Sequence, residues 1–338
     1  GTVIDMLRVK AEDPLTSLYG ALGNFLATHS LKLTDIGHIA LTGVGASYVD
    51  GDIYGVRTVK VEEFPSVGVG GLALSRKERA VVVSMGTGTS LLWAEKGGEI
   101  RHIIGSGIGG GTLSGLSELI TGVHQYALIR KLCQDGDLSQ IDLTIGDMSK
   151  GKVGTLPPEA TAANFAKLAE DATSADKMRG LVNLVLQAIG TMSVLACRTC
   201  GTNTVVLTGA LTMLPPAHET FELFTQLYGV EYIIPENATF ATAIGAGLYW
   251  VGLVGTAVLM CVQLVLHRFP IGSDAVSTQE LSVRMRDRQE LLDAFEGLIR
   301  AHRGQIIESN ISREEDDICL EVVAKLPEPI THDEAIAF

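Results

Sequence analysis

Short apolar runs punctuated by glycine dominate the first 250 residues. Asp13-Pro14 predicts a helix start, with Asp as N-cap and Pro at the first helical position, and the helix runs through Leu18, Leu22 and Leu26 to about Ser30. Ile39-Ala-Leu-Thr-Gly43 reads as a buried strand entering a glycine turn. Val59-Lys-Val-Glu-Glu-Phe64 reads as a short strand, followed by a small-residue helix from Pro65 to about Leu74. Ala80–Met85 is a central strand. Gly86-Thr-Gly88 turns it into Ser90–Ala94, and Lys96-Gly-Gly-Glu99 turns again into Ile100–Ile104, an antiparallel meander. The glycine run 105–112 then opens a helix through Leu113, Leu116 and Leu119. Helices are predicted at Tyr126–Gln134, Thr161–Glu170, Lys177–Arg198, Phe221–Tyr228 and Ala238–Tyr249, and strands at Asn203–Gly209 and Val230–Ile234.

From Asn237 to Leu266 no residue is charged. The part up to about Leu248 reads as a buried core helix. Gly247–Leu266 matches the ~20 apolar residues that span a bilayer. After Pro270 the texture changes. Leu281–Arg286, Gln305–Ile311 and Ile318–Lys325 read as strands, and Glu290–His302 as an amphipathic helix with Leu291, Leu292, Phe295 and Leu298 on one face. This β-α-β-β order is half of a ferredoxin-like module, and Thr331–Phe338 falls where a second helix begins.

Composition narrows the function. Hydrophobic residues make up 46 % and charged residues 19 %, enough to bury a large core. A net charge of −13 repels phosphate backbones and argues against nucleic-acid binding. Five cysteines in a long chain do not suggest a disulfide framework. Cys197 and Cys200 have redox or zinc spacing, but no second pair or His cluster completes a site, so they read as small residues ending a helix.

Four strand-to-glycine junctions carry the candidate chemistry: 41–45, 84–90, 105–112 and 207–209. Glycine lets backbone approach a ligand, and successive amides make an anion-binding concavity. Hydroxyls at Ser84, Thr87, Thr89, Ser90, Ser106 and Thr112 add donors. No P-loop motif is present. Gly105-Ser-Gly107-Ile-Gly-Gly110 matches a dinucleotide fingerprint, but it follows a hairpin meander and lacks the later strand-end acid. Glu63 is a candidate general base beside Phe64, with Glu62 on the other strand face. The residues alone favour solvated strand-end acids for both.

The runs Val61–Phe64, Val83–Ser90, Gly105–Thr112, Asp142–Asp147, Thr161–Phe165, Leu207–Gly209 and Glu236–Ala246 together resemble type II pantothenate kinases over about Gly1–Tyr249. The resemblance implies an α/β chain of the actin-like, acetate-and-sugar-kinase fold, with two ribonuclease-H-like lobes. It implies phosphorylation of pantothenate by ATP with Mg²⁺, the first step of coenzyme A synthesis, in a cytoplasmic homodimer. Glu63 matches the catalytic base; Gly86, Thr87, Gly88, Thr89 and Ser90 match a phosphate motif. Gly107, Gly109, Gly110, Gly111 and Thr112 match a nucleotide-flanking segment, and Gly209 an adenosine motif. The family's substrate-binding Arg falls on His102, with Arg101 adjacent. The family's opening Asp-x-Gly-Gly-Thr loop is absent before Gly1, so an N-terminally truncated and impaired kinase is expected.

Residues 247–338 resemble the last membrane helix and C-terminal domain of the MgtC/SapB family. The resulting division is 1–104 and 105–248 for two kinase lobes, 249–268 for an apolar helix that would touch the inner membrane through 249–266, and 279–338 for the partial ferredoxin-like module. Two further readings share these residues: a membrane-associated regulator with a degenerate kinase lobe, and an actin-like kinase for a sugar or acetate-like substrate.

Overall fold

The structure is a computed structural model that describes residues 3–9, 13–151, 153–154 and 156–254 and the strands 277–286, 305–314 and 317–326, with side chains through 249. The chain divides into two compact units, Gly1–Phe269 and Pro270–Phe338.

The first unit opens with helix α1 (Pro14–Thr28). The Asp13 carboxylate accepts from the Thr16 amide at 2.7 Å and caps it as the sequence predicts. Its apolar stripe, Leu18, Leu22 and Phe25, packs against Ile39, Leu41 and Ile53. Strand β1 (Ile39–Leu41) pairs in parallel with β2 (Thr58–Lys60). The predicted strand 59–64 therefore ends early. Helix α2 (Glu63–Ser75) starts at Glu63, which is compatible with Pro65 because proline is tolerated in a first helical turn.

Strands β3 (Arg79–Met85), β4 (Thr89–Glu95) and β5 (Ile100–Ser106) form the expected meander. Helices α3 (Gly110–Thr121) and α4 (Tyr126–Asp135) follow. A small excursion holds β6 (Leu143–Thr144), the single turn α5 (Ile145–Met148) and β7 (Thr161–Ala163). Then come α6 (Ser174–Cys200), β8 (Thr204–Thr208), α7 (Pro216–Tyr228), β9 (Glu231–Ile233) and α8 (Ala241–Val254).

One five-stranded sheet, in the order β5-β4-β3-β8-β9, organises the unit. The meander is antiparallel, whereas β8 and β9 run parallel to β3. This is the strand plan of a ribonuclease-H-like lobe, and the unit has the actin-like kinase fold. Alternation assigns the faces. Ala80, Val82, Leu92 and Val206 pack under α2 with Val67 and Leu72. Val81, Val83, Met85 and Leu207 pack under α6 with Met178, Val182 and Leu186. Among the described helices only α6 is long and apolar enough to cross a membrane, and most of that stretch is buried in this core.

Three expectations need correction. The boundary at 104/105 cuts through a single sheet, because the meander shares it with β8 and β9. The boundary at 248/249 falls inside α8, which continues to Val254. The predicted helix 161–170 does not form. The buried Asp142 carboxylate instead accepts from the Phe165 amide (2.9 Å), Thr161 Oγ1 (3.2 Å), Asn164 Nδ2 (3.1 Å) and Asn183 Nδ2 (2.7 Å). The amides of Lys167 and Leu168 both donate to the Ile141 carbonyl. The donors that a helix needs are spent there, and Phe165 takes a left-handed φ of 57°.

The second unit shows strands β10 (Ser277–Arg286), β11 (Gln305–Glu314) and β12 (Asp317–Leu326), with β12 antiparallel to both neighbours in the middle. A β-α-β-β unit takes that order. The expected helices at Glu290–His302 and Thr331–Phe338, and the apolar stretch beyond Val254, lie outside the described residues.

In the first unit α2 and α8 touch at backbone distance. A Cβ on Gly70 would stand 1.8 Å from the Ala241 carbonyl oxygen, and one on Gly245 would stand 1.8 Å from that of Ser66. No side-chain rotation relieves a clash with backbone, so the helices must separate if either glycine is replaced. Gly70→Ala should therefore destabilise the fold by about 1–3 kcal/mol or more. Gly20→Ala, in exposed α1 with nothing within 4 Å, should stabilise by roughly 0.5–1 kcal/mol. Urea unfolding of the two variants checks both signs.

Candidate active site

A cleft of about 450 Å³ opens where the ends of β1, β3, β4 and β8 meet the start of α2. Four kinds of wall surround it. Thr42–Gly45 follow β1, with Gly43 at φ 84°. Glu63 and Phe64 are the first two residues of α2. The β3–β4 turn contributes Gly86–Gly88, with Ser84 and Ser90 paired across the strands behind it. Gly209 and Ala210 follow β8, and Thr239 and Thr242 flank the start of α8.

Gly209 has φ 92°, and a Cβ there would meet the Met85 backbone at 2.5–2.9 Å. Only glycine suits that junction. The next carbonyl, Ala210, accepts from the Tyr126 hydroxyl at 2.7 Å. Burial raises the Tyr126 pKa, so the phenol remains a donor.

The glycine segment before α3 lies against the β3–β4 turn. The amides of Gly110 and Gly111 donate to the carbonyls of Gly86 and Thr87, each at 2.8 Å. Thr89 Oγ1 donates to the Ile108 carbonyl at 2.8 Å, and Thr112 Oγ1 to that of Gly107 at 2.7 Å. The Ser106 hydroxyl oxygen accepts from the Ile108 amide at 3.1 Å. Gly109, Gly110 and Gly111 thus brace the turn that lines the cleft, and Thr112 ties back to Gly107 within its own segment. The first two amides of α3 are thus taken up by protein carbonyls. Thr89 and Thr112 have committed their single hydroxyl protons. The hydroxyl protons of Ser84, Thr87, Ser90 and Ser106 remain available to the cleft. Among the described residues, the amides of Thr87 and Gly88 have no protein acceptor. Two adjacent free amides beside these four hydroxyls form an anion cradle.

Glu63 lines the same cleft as this cradle. The protein around it raises its pKa above the ordinary 4.5 by desolvation, although solvent in the cleft still reaches it. Glu62 precedes the helix as its N-cap residue and is exposed. The two acids are distinguished by a helix start, and not by strand alternation as the sequence implied.

His102 and Arg101 part company. His102 pairs with Leu92 on the α2 side, and its ring stacks on Phe64 with centroids 4.6 Å apart and 11° between planes. Arg101 pairs with Trp93, which packs on the α6 side. Arg101 therefore points to the opposite face and does not stand in for a residue at the His102 position. A one-residue bulge at Ile103 sets this register.

Sequence reasoning did not single out Arg8, Thr239 or Thr242 as cleft residues. Arg8 lies on an irregular segment without motif, and the two threonines read as ordinary helix-start residues. Cys197 and Cys200 are free thiols near the end of α6, and burial pushes the Cys197 thiol up to about 12. Among the described residues no group of three or more His, Cys, Asp or Glu side chains could hold a metal ion.

An actin-like fold with a hydroxyl-rich anion cradle and one carboxylate in a single cleft defines a kinase-like phosphotransferase. The sequence model of the Fumble family matches residues 74–225. A type II pantothenate kinase of Staphylococcus haemolyticus is 32 % identical over 217 residues, covering 62 % of this chain and 81 % of the relative. One of Oceanobacillus iheyensis is 31 % identical over 206 residues, covering 58 % and 77 %. The chain belongs to the type II pantothenate kinase family. Among solved structures, the activator of 2-hydroxyisocaproyl-CoA dehydratase from Clostridium difficile with bound ADPNP superposes at a TM-score of 0.48 with 16 % identity, covering 69 % of this chain and 80 % of that one.

The bracing contact gives a direct test. A Cβ on Gly109 would stand 2.7 Å from both Gly88 C and Thr87 O. Gly109→Ala should lower stability by about 1–3 kcal/mol. It should also move the backbone amide resonances of Thr87 and Gly88 while those of α1 stay in place. Urea unfolding and amide NMR spectra would read the two effects.

Proposed function

We propose that this chain transfers the γ-phosphoryl group of ATP to the hydroxyl of pantothenate, the first step of coenzyme A synthesis. The observation that carries the reading is that Glu63 and the Gly86–Ser90 turn share one cleft. The free amides of Thr87 and Gly88 and the hydroxyls of Ser84, Thr87 and Ser90 would hold phosphate oxygens. Gly209 and Ala210, backed by Tyr126, would border the nucleoside. The ionised Glu63 carboxylate would take the proton of the attacking hydroxyl as its oxygen bonds to Pγ. The bond from Pγ to the bridging β,γ oxygen breaks, and ADP leaves with that oxygen.

Such transfer depends on positioning and charge neutralisation. Mg²⁺ would supply part of that neutralisation. The one carboxylate among the described lining residues is the base itself, so such an ion would arrive with the nucleotide and rest on its phosphate oxygens and water. The Phe64–His102 stack beside Glu63 would form the acceptor end, where a ring N–H can donate a hydrogen bond to the pantothenate carboxylate.

Full-length protein with ATP and pantothenate should release ADP and 4′-phosphopantothenate. Glu63→Gln should lower kcat by roughly 10²–10⁴-fold. Because the Glu63 pKa of the free protein is raised, kcat/KM should fall as pH drops through a value above 4.5, and the variant should lack that limb. Stability has the opposite sign. Folding holds the proton more tightly, so the ionised group costs stability as pH rises through the window between its unfolded and folded pKa values. Glu63→Gln should therefore melt no lower than the parent at pH 7. Unchanged turnover in Glu63→Gln would refute the role of the base. Turnover of a sugar or acetate-like acceptor in place of pantothenate would refute the substrate.

A further inference from the structure

We infer that Arg8 is the cation that holds the nucleotide's phosphate chain, an inference that rests on the ATP reading of the cleft. Arg8 lies on the irregular segment 3–9, far in sequence from every glycine junction, yet its side chain lines the cleft with Glu63 and Gly209. Among the described residues it is the only basic side chain that does so.

Its own contacts leave it unsatisfied. The guanidinium makes one hydrogen bond, from an Nη to Met213 Sδ at 2.8 Å, and no carboxylate pairs with it among the described residues. A thioether is a weak acceptor, whereas a guanidinium offers five donors in a fork shaped for carboxylate or phosphate oxygens. Arg8 is half-buried, so its donors have lost part of their water without gaining an anion. The anchoring Met213 lies in the turn that begins at Gly209 and Ala210, and the Ala210 carbonyl is fixed by Tyr126.

The electrostatic argument agrees. Neutral amides and hydroxyls at 84–90 can orient phosphate oxygens but cannot balance their charge, and the whole chain carries −13. Glu63 adds a further negative charge to the cleft wall. A polyphosphate entering there needs a fixed positive charge, and Arg8 supplies it where the cradle has none.

Titration calorimetry of the full chain with ATP, ADP and adenosine tests the assignment. Arg8→Gln should weaken ATP and ADP binding by roughly 10–100-fold, the range expected for losing hydrogen bonds to a charged group, and leave adenosine unchanged. Arg8→Lys keeps charge and stem but loses the fork, so it should fall between them. If Arg8→Gln does not fold, parent against Arg8→Lys gives the same comparison. Weaker ATP and ADP with unchanged adenosine supports the assignment, and unchanged ATP affinity in the folded variants overturns it. An equal loss for adenosine also overturns it, because the residue would then be shaping the pocket and not reading phosphate. Parent protein that binds none of the three at millimolar concentration overturns the ATP reading itself, and this inference with it.

Discussion

The site depends on the backbone contact between α2 and α8. Gly70 lies against the Ala241 carbonyl and Gly245 against that of Ser66, leaving no room for a side chain at either crossing. Helix α2 begins at Glu63, and α8 begins beside Thr239 and Thr242. The crossing thus fixes the distance between a carboxylate on one wall and hydroxyls on another. Interiors packed at this density move as bodies and do not stretch. The same α2 covers the sheet that ends in the Gly86–Gly88 turn, so acid and cradle are referred to one rigid frame.

Much of the frame was legible in the sequence because a half-buried sheet writes itself as alternation. Ala80–Met85 faces α2 and α6 with successive residues, and the glycine pairs that follow mark the meander's turns. The junctions at Gly86–Ser90 and Gly209 line the cleft, and a side chain at Gly88 or Gly209 would strike neighbouring backbone. What glycine could not disclose is which amides remain available. Gly110 and Gly111 look as suited to an anion as Thr87 and Gly88, but they donate to carbonyls of the neighbouring turn. That division is set by three-dimensional docking between segments about 20 residues apart.

Other features escaped for similar reasons. Helix propensity in Ala162-Ala-Asn-Phe-Ala-Lys-Leu-Ala169 is overruled by Asp142, a single buried acceptor that collects four donors from the surrounding chain. The separation of His102 from Arg101 is plain strand alternation, whereas the bulge at Ile103 that follows them has no residue signature. Arg8 reaches the cleft from a segment with no periodicity at all. Local pattern reports which face an element buries, and it reports poorly on contacts made by irregular chain or by one polar atom serving several neighbours.

The raised proton affinity of Glu63 has a consequence for how the cleft is filled. Any anion brought near that carboxylate strengthens its hold on a proton, and any cation weakens it. Polyphosphate arriving alone would therefore raise that affinity further, whereas polyphosphate escorted by Mg²⁺ and met by a guanidinium would offset the rise. The titration of one acid thus becomes a gauge of how completely the protein has cancelled the charge of its cargo.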